Sequence, residues 1–242
     1  MSDVAAEPAS MPAAQATPPA HKPVSRILTV IWMAIALGIA LQLVILGTKT
    51  AMGAPWPGLK WLPDLLNGVT WAIFVCAGVV LGTLASRART AAMGLLGLIS
   101  APVGFSLAKG LQRGLQSMLD APVDKIAPAL YALCGVKAVE YACLGAVIGW
   151  LLSRSWARAS HFALSGLAAG VVFGGINVWI TAAVAKAKPP AVVGAAINEL
   201  LFPIGCALVI YLATAAVRHI TALNPQAALP EDPAADVGVP LA

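Results

Sequence analysis

Residues 135–154 read GVKAVEYACLGAVIGWLLSR. Most of this stretch is what a lipid-facing helix is made of, yet Lys137 and Glu140 stand three apart in its first third. A Lys or an Asp at the centre of a membrane helix costs roughly 2.5–3.5 kcal/mol on insertion scales, and a Glu is of similar order. At i, i+3 the two side chains are helical neighbours and can offset one another. The pair is therefore either a self-neutralising structural couple or the core of a site.

The same stretch fixes the architecture. Residues 66–87, LNGVTWAIFVCAGVVLGTLASR, align with residues 133–154 at an offset of 67, with ten of 22 positions identical. The matches include Gly68/Gly135, Cys76/Cys143, Gly78/Gly145, Gly82/Gly149 and the Ser-Arg ending at Arg87/Arg154. Hydrophobicity alone does not align glycines, a cysteine and an arginine, so the pattern reads as an internal duplication. GAAINELL at 194–201 lies over GVKAVEYA at 135–142 and pairs Glu199 with Glu140, while Gly97-Leu98 lies over Gly166-Leu167.

Working outward, the chain of 242 residues is 60% hydrophobic and 10% charged, with mean hydropathy +0.85. A soluble domain carries roughly 25% charged residues. Six runs are long enough to cross a hydrocarbon core, near 26–47, 65–86, 90–108, 127–153, 162–184 and 191–216. Each meets the requirement of about 20 apolar residues, and no alternating strands of β-barrel type occur. The fold class expected is an all-α polytopic membrane protein. Its six transmembrane helices form three parallel helical-hairpin repeats, 26–87, 90–154 and 162–218, in a pseudo-threefold bundle within 25–220. Parallel repeats follow because each hairpin starts and ends on one side.

Residues 1–24 and 221–242 are Ala/Pro-rich and polar, with too little apolar surface to fold alone, and are expected to be disordered tails. The start lacks the basic region of a signal peptide, and the first apolar run is too long for one; it reads as an uncleaved signal anchor. The basic flanking residues divide evenly. Lys22, Arg26, Arg87, Arg89, Arg154, Arg158 and Arg218 fall on one side, and Lys49, Lys60, Lys109, Arg113, Lys125, Lys186 and Lys188 on the other. The short Arg-bearing loops 86–90 and 154–161 favour both termini in the cytoplasm of a cell (inner or plasma) membrane protein. The net charge of +5 reads as flanking charge rather than nucleic-acid binding, since no basic stripe interleaves with aromatics.

Between helices in lipid, small residues that let backbones approach drive packing. Gly78 and Gly82, Gly145 and Gly149, and Gly166, Gly170 and Gly174 recur at four-residue spacing. They read first as packing faces, then as ligand-approach or homo-oligomer faces. Pro102 and Pro203 interrupt two spans and are expected to kink them, as packing devices or hinges. Pro203 leaves the carbonyl of Glu199 without its helical donor.

At the positions matching Lys137 and Glu140, the first hairpin has Thr70 and Ile73, so the fold can be built without the ion pair there. The third hairpin keeps the acid, Glu199, but has Ala196 in place of the lysine. If the even-numbered helices line the axis, two acids and one base converge at one depth. Asn177, Asn198, Thr70 and Asn67 would add neutral hydrogen-bonding groups or act only as helix–helix glue. Two acids sharing one lysine leave a carboxyl able to take a proton, a cation or a cationic ligand.

Cys76, Cys134, Cys143 and Cys206 show neither a disulfide framework nor zinc spacing. His21, His161 and His219 form no metal pair, so neither metal nor other cofactor is expected. Residues 109–125 read as a short amphipathic connector or lid. No paired-His motif, Ser/His/acid set or phosphate loop is found, and an enzyme is not expected. The leading expectation is a small secondary transporter or channel-like permease with Lys137, Glu140 and Glu199 at mid-membrane. The alternative is a non-transporting assembly factor or anchor, binding another membrane protein through its glycine-striped helices. Partners expected are the lipid bilayer and a second copy or another membrane protein.

Overall fold

A computed structural model of the chain describes residues 21–85, 88–121 and 128–223. Every element among them is helical: α1 His21–Ala51, α2 Leu62–Leu81, α3 Arg89–Met118, α4 Pro128–Leu152, α5 Ala159–Trp179 and α6 Pro189–Leu223. One 3₁₀ turn, Gly58–Trp61, leads into α2 and another, Gly82–Leu84, ends it. A π turn, Ile180–Val184, ends α5. Six apolar spans result, from Ile27–Ala51 to Pro189–Ala216, each 24 to 30 residues long. At 1.5 Å per residue each exceeds the roughly 30 Å hydrocarbon thickness. The chain is a multi-pass helical membrane protein.

The surface supports this. On α5, Leu164, Val171, Val172 and Trp179 are exposed, whereas Gly166, Gly170, Gly174 and Asn177 are buried. Large apolar side chains point outward and small or polar ones inward, which suits lipid rather than water as the solvent.

The helices close into a ring: each packs on its chain neighbours, and α6 returns to α1. The even helices α2, α4 and α6 also touch one another, which puts them at the centre. There Trp71, Tyr141 and Phe202, one from each, stack with centroid distances of 5.5 to 6.0 Å. The C-terminal ends of α1 and α3 and the starts of α2, α4 and α6 surround a common cavity. They define one face of the molecule, the loop face. The opposite end is the terminal face.

Glycines set the spacing around the ring. A Cβ on Gly82 would meet Met93 of α3 at 2.5 Å, and one on Gly149 would meet Thr90 of α3 at 2.9 Å. Gly78 and Gly145 also lie against α3, and Gly166, Gly170 and Gly174 lie against α6. All seven glycines of the three stripes therefore face helices of the same chain.

The structure bears on three further parts of the sequence reading. Of the stretch 109–125, residues 109–118 are the last turns of α3 rather than a separate connector, and 122–125 lie outside the described residues. The side chains of these last turns tie them to the core, Gln112 being buried. Pro102 and Pro203 lie inside α3 and α6, which continue through both. The tails at 1–20 and 224–242 lie outside the described residues, while 21–24 and 221–223 are helical. Where α1 stops, Gly53 takes φ +85. The Gly53 and Ala54 amides donate back to the Thr50 and Lys49 carbonyls, at 2.9 and 3.0 Å. This left-handed termination is easily supplied by glycine.

Candidate functional site

The tenth residue of α4 is Lys137, the tenth of α2 is Trp71 and the eleventh of α6 is Glu199. All three sit about 15 Å along their helices from the loop face. Because the even helices meet at the axis, these side chains converge. The Lys137 ammonium donates to Glu140 Oε2 at 2.9 Å and to Glu199 Oε2. The same ammonium stands 5.5 Å from the Tyr141 ring centroid and 5.9 Å from that of Trp71, close enough for cation–π attraction. Lys137 is 5% exposed, Glu140 is fully buried and Glu199 is 8% exposed.

Asn177 completes the set from α5. Its Nδ2 donates to Glu199 Oε2 at 3.0 Å, so this oxygen accepts from two donors on two helices. Asn177 sits one turn before the π turn, and Thr181 within that turn donates to the Asn177 carbonyl at 2.8 Å. Such bulges occur often at functional sites. The Glu199 carbonyl, relieved of its donor by Pro203, lies against Gly170 and Gly174. A Cβ at Gly174 would stand 2.8 Å from the Glu199 Cβ, whereas one at Gly175 would meet nothing within 4 Å.

That contrast makes a prediction. Gly174→Ala is expected to push Glu199 out of register and lower stability by about 1–3 kcal/mol, the usual cost of overpacking. Gly175→Ala is expected to leave the melting temperature unchanged, since its new methyl enters open space. Thermal melts of the two purified variants check this.

A cavity of about 310 Å³ runs from the loop face down to Lys137 and Glu199. Its wall includes Gln42, Lys49, Asp64, Asn67, Trp71 and Asn198. Near the mouth, Lys109 donates to Gln112 Oε1 at 2.8 Å, and Gln112 donates to Asp64 Oδ1 at 2.7 Å. Deeper in the bundle, Tyr141 and Phe202 are buried with Leu144, Ile148, Cys76 and Cys206. A second cavity of about 390 Å³ lies at the terminal face between α4, α5 and α6, with Arg154, Tyr211 and Thr214 on its wall. From Glu199 to Tyr211 along α6 is about 18 Å. The two cavities thus flank a stretch of apolar core.

Three buried polar atoms on residues of the ion cluster or next to it have no protein partner: Glu140 Oε1, Asn177 Oδ1 and the hydroxyl of Tyr141, the neighbour of Glu140 on α4. Buried polar atoms are overwhelmingly hydrogen-bonded, so this concentration of acceptors is unusual. Two carboxylates and one ammonium also leave one negative charge if all are ionised, and the interior disfavours a net charge.

Of the residues singled out from sequence, Lys137, Glu140, Glu199 and Asn177 come together in one bonded cluster. Asn67 and Asn198 line the cavity above it. Thr70 is buried on α2 but does not line that cavity. Sequence reasoning missed Trp71, Tyr141 and Phe202 as a central group, and it missed the Asp64–Gln112–Lys109 chain. It also missed Gln42, a buried amide in an apolar span whose cost in lipid was the available signal. No group of three or more His, Cys, Asp or Glu able to hold a metal occurs among the described residues. Comparison with protein-family models, with curated proteins and with solved structures finds no match to this chain.

Proposed function

We propose that the protein is a small secondary transporter working by alternating access, with Lys137, Glu140 and Glu199 as its mid-membrane, proton- or cation-responsive site. The observation carrying this reading is the cavity that reaches Lys137 and Glu199 from the loop face. Beyond them, Tyr141 and Phe202 pack against each other and against Trp71, which stands level with Lys137 in the cavity wall. A polar site at half depth, wet on one side and sealed on the other, is what a carrier needs in one of its two end states. A passive channel would need a continuous aqueous path instead. The three hairpins would act as parallel repeats around a pseudo-threefold axis, with both termini cytoplasmic in a cell membrane. Binding and translocation, not bond chemistry, would be the work of the site.

The alternative, an anchor that grips another membrane protein through its glycine stripes, has less support. Gly78, Gly82, Gly145, Gly149, Gly166, Gly170 and Gly174 are already covered by helices of the same chain. What favours the anchor is that Lys137 already pairs with Glu140 and Glu199 within the chain.

Cys206 separates the two. It is buried below the aromatic group, where only an opening of the terminal face would expose it. In a Cys76→Ala, Cys134→Ala, Cys143→Ala background, an impermeant maleimide is expected to label Cys206 from the terminal face at a pH-dependent rate. A minor open state of about 0.1–10% suffices for labelling. A rate that stays at background across pH 5 to 9 (about the range maleimide chemistry tolerates, after correction for thiolate reactivity with an unfolded control) sinks the transporter reading.

A further inference from the structure

Resting on the transporter reading, we propose that Glu140, Asn177 and Glu199 bind a small monovalent inorganic cation in exchange for a proton, with Lys137 as the fixed counter-charge. Charge arithmetic comes first. Glu140, Glu199 and Lys137 together carry one negative charge when ionised, and a single proton or a single monovalent cation cancels it. Exchange of one for the other keeps the buried site neutral in both states, which a low-dielectric interior rewards. A divalent ion would leave one positive charge in excess. An anionic substrate would add to the negative charge and require two protons to balance it.

The atoms available point the same way. Glu140 Oε1, Asn177 Oδ1 and the Tyr141 hydroxyl are oxygens without a protein partner, and hard cations prefer oxygen ligands. Glu140 is fully buried and Asn177 is 1% exposed, so the ion must arrive stripped of most of its water. Of the aromatic rings beside the site, Trp71 and Tyr141 already hold the Lys137 ammonium, which leaves them less able to hold an organic one. Above the site, Asn67, Asn198 and Gln42 line the cavity and offer amide oxygens in place of hydration.

The titratable and charged groups facing Glu140 and Tyr141 are Lys137 on α4, Glu199 and Cys206 on α6, and Cys76 on α2. α5 contributes the neutral Asn177. The charged residues of α3, which are Arg89, Lys109 and Arg113, lie away from its middle, but Lys109 lines the cavity above Glu199 together with Lys49 of α1 and Asp64 of α2.

The test uses the full chain purified in detergent, titrated with LiCl, NaCl or KCl against choline chloride at constant ionic strength. Thermal stability and proton release into weak buffer are read together. The expected result is stabilisation by at least one of the three alkali ions over choline, with proton release on binding. The apparent affinity is expected to tighten by up to about tenfold per pH unit while the site is protonated, as one-for-one competition requires. Glu140→Gln, which keeps the Lys137–Glu199 pair, is expected to lose both signals. An alkali effect no larger than that of choline, an effect without proton release, or one retained in Glu140→Gln overturns the proposal. If it is overturned while Cys206 labelling stays pH-dependent, the transporter reading survives with another cargo; if labelling also stays at background, both fall.

Discussion

Glu199→Gln is expected to leave a folded, inserted protein that no longer couples movement of its cargo to pH. The substitution is nearly isosteric, and an amide oxygen can still accept from Lys137. What disappears is one negative charge. The remaining Glu140–Lys137 pair, in contact at 2.9 Å, is neutral without a proton or a cation. The site then has nothing to gain from binding either. In proteoliposomes with a trapped pH-sensitive dye, the parent is expected to show pH-dependent exchange, and Glu199→Gln to fall to the rate of empty vesicles. Its melting temperature is expected to stay close to the parent's, which separates loss of function from loss of fold. Glu140→Gln is expected to act in the same direction, because the charge count falls by the same amount. If both variants exchange like the parent, the cluster is a structural ion network and carries no transport role.

The sequence made the six helices legible because lipid imposes a hard requirement. A spanning segment must be apolar for its full length and satisfy its own backbone. Rotation about each helix axis was harder to read. In a water-soluble helix an apolar stripe marks the inner face, but α4 and α5 are apolar nearly all round and show no such stripe. The glycines supplied the missing information in part: Gly166, Gly170 and Gly174 mark the inward face of α5. Lys137 and Glu140 stood out by cost alone, and Glu199 by its alignment with Glu140. Trp71, Tyr141 and Phe202 carried no comparable signal, since an aromatic in an apolar span suits lipid and core equally. The Gln112–Asp64 contact joins residues 48 apart in the chain, a pairing brought about by the packing of α3 back along α2. The helical extension to Met118 is not legible because its amphipathic pattern suits a separate interfacial segment equally well. Its polar residues form part of the wall and mouth of the cavity instead, with Lys109 and Gln112 on the lining.

Removing the lysine is expected to do more damage than removing either acid. Lys137 is bonded to both Glu140 and Glu199, so Lys137→Met leaves two buried carboxyl groups facing each other. Breaking a buried ion pair from one side typically costs about 3–5 kcal/mol. That is a large share of the 5–15 kcal/mol or so that stabilises an ordinary domain. The variant is expected to accumulate poorly and to melt well below the parent. Adding Glu140→Gln and Glu199→Gln to Lys137→Met removes every charge at once, and well-packed neutral replacements for a buried ion network are often stability-neutral. The triple variant is therefore expected to regain the parent's melting temperature and expression while remaining inert in the exchange assay. Recovery of fold without recovery of exchange assigns the charges to function. A single Lys137→Met variant as stable as the parent would mean that the carboxylates do not depend on the lysine, and the charge balance on which the exchange site rests would fail.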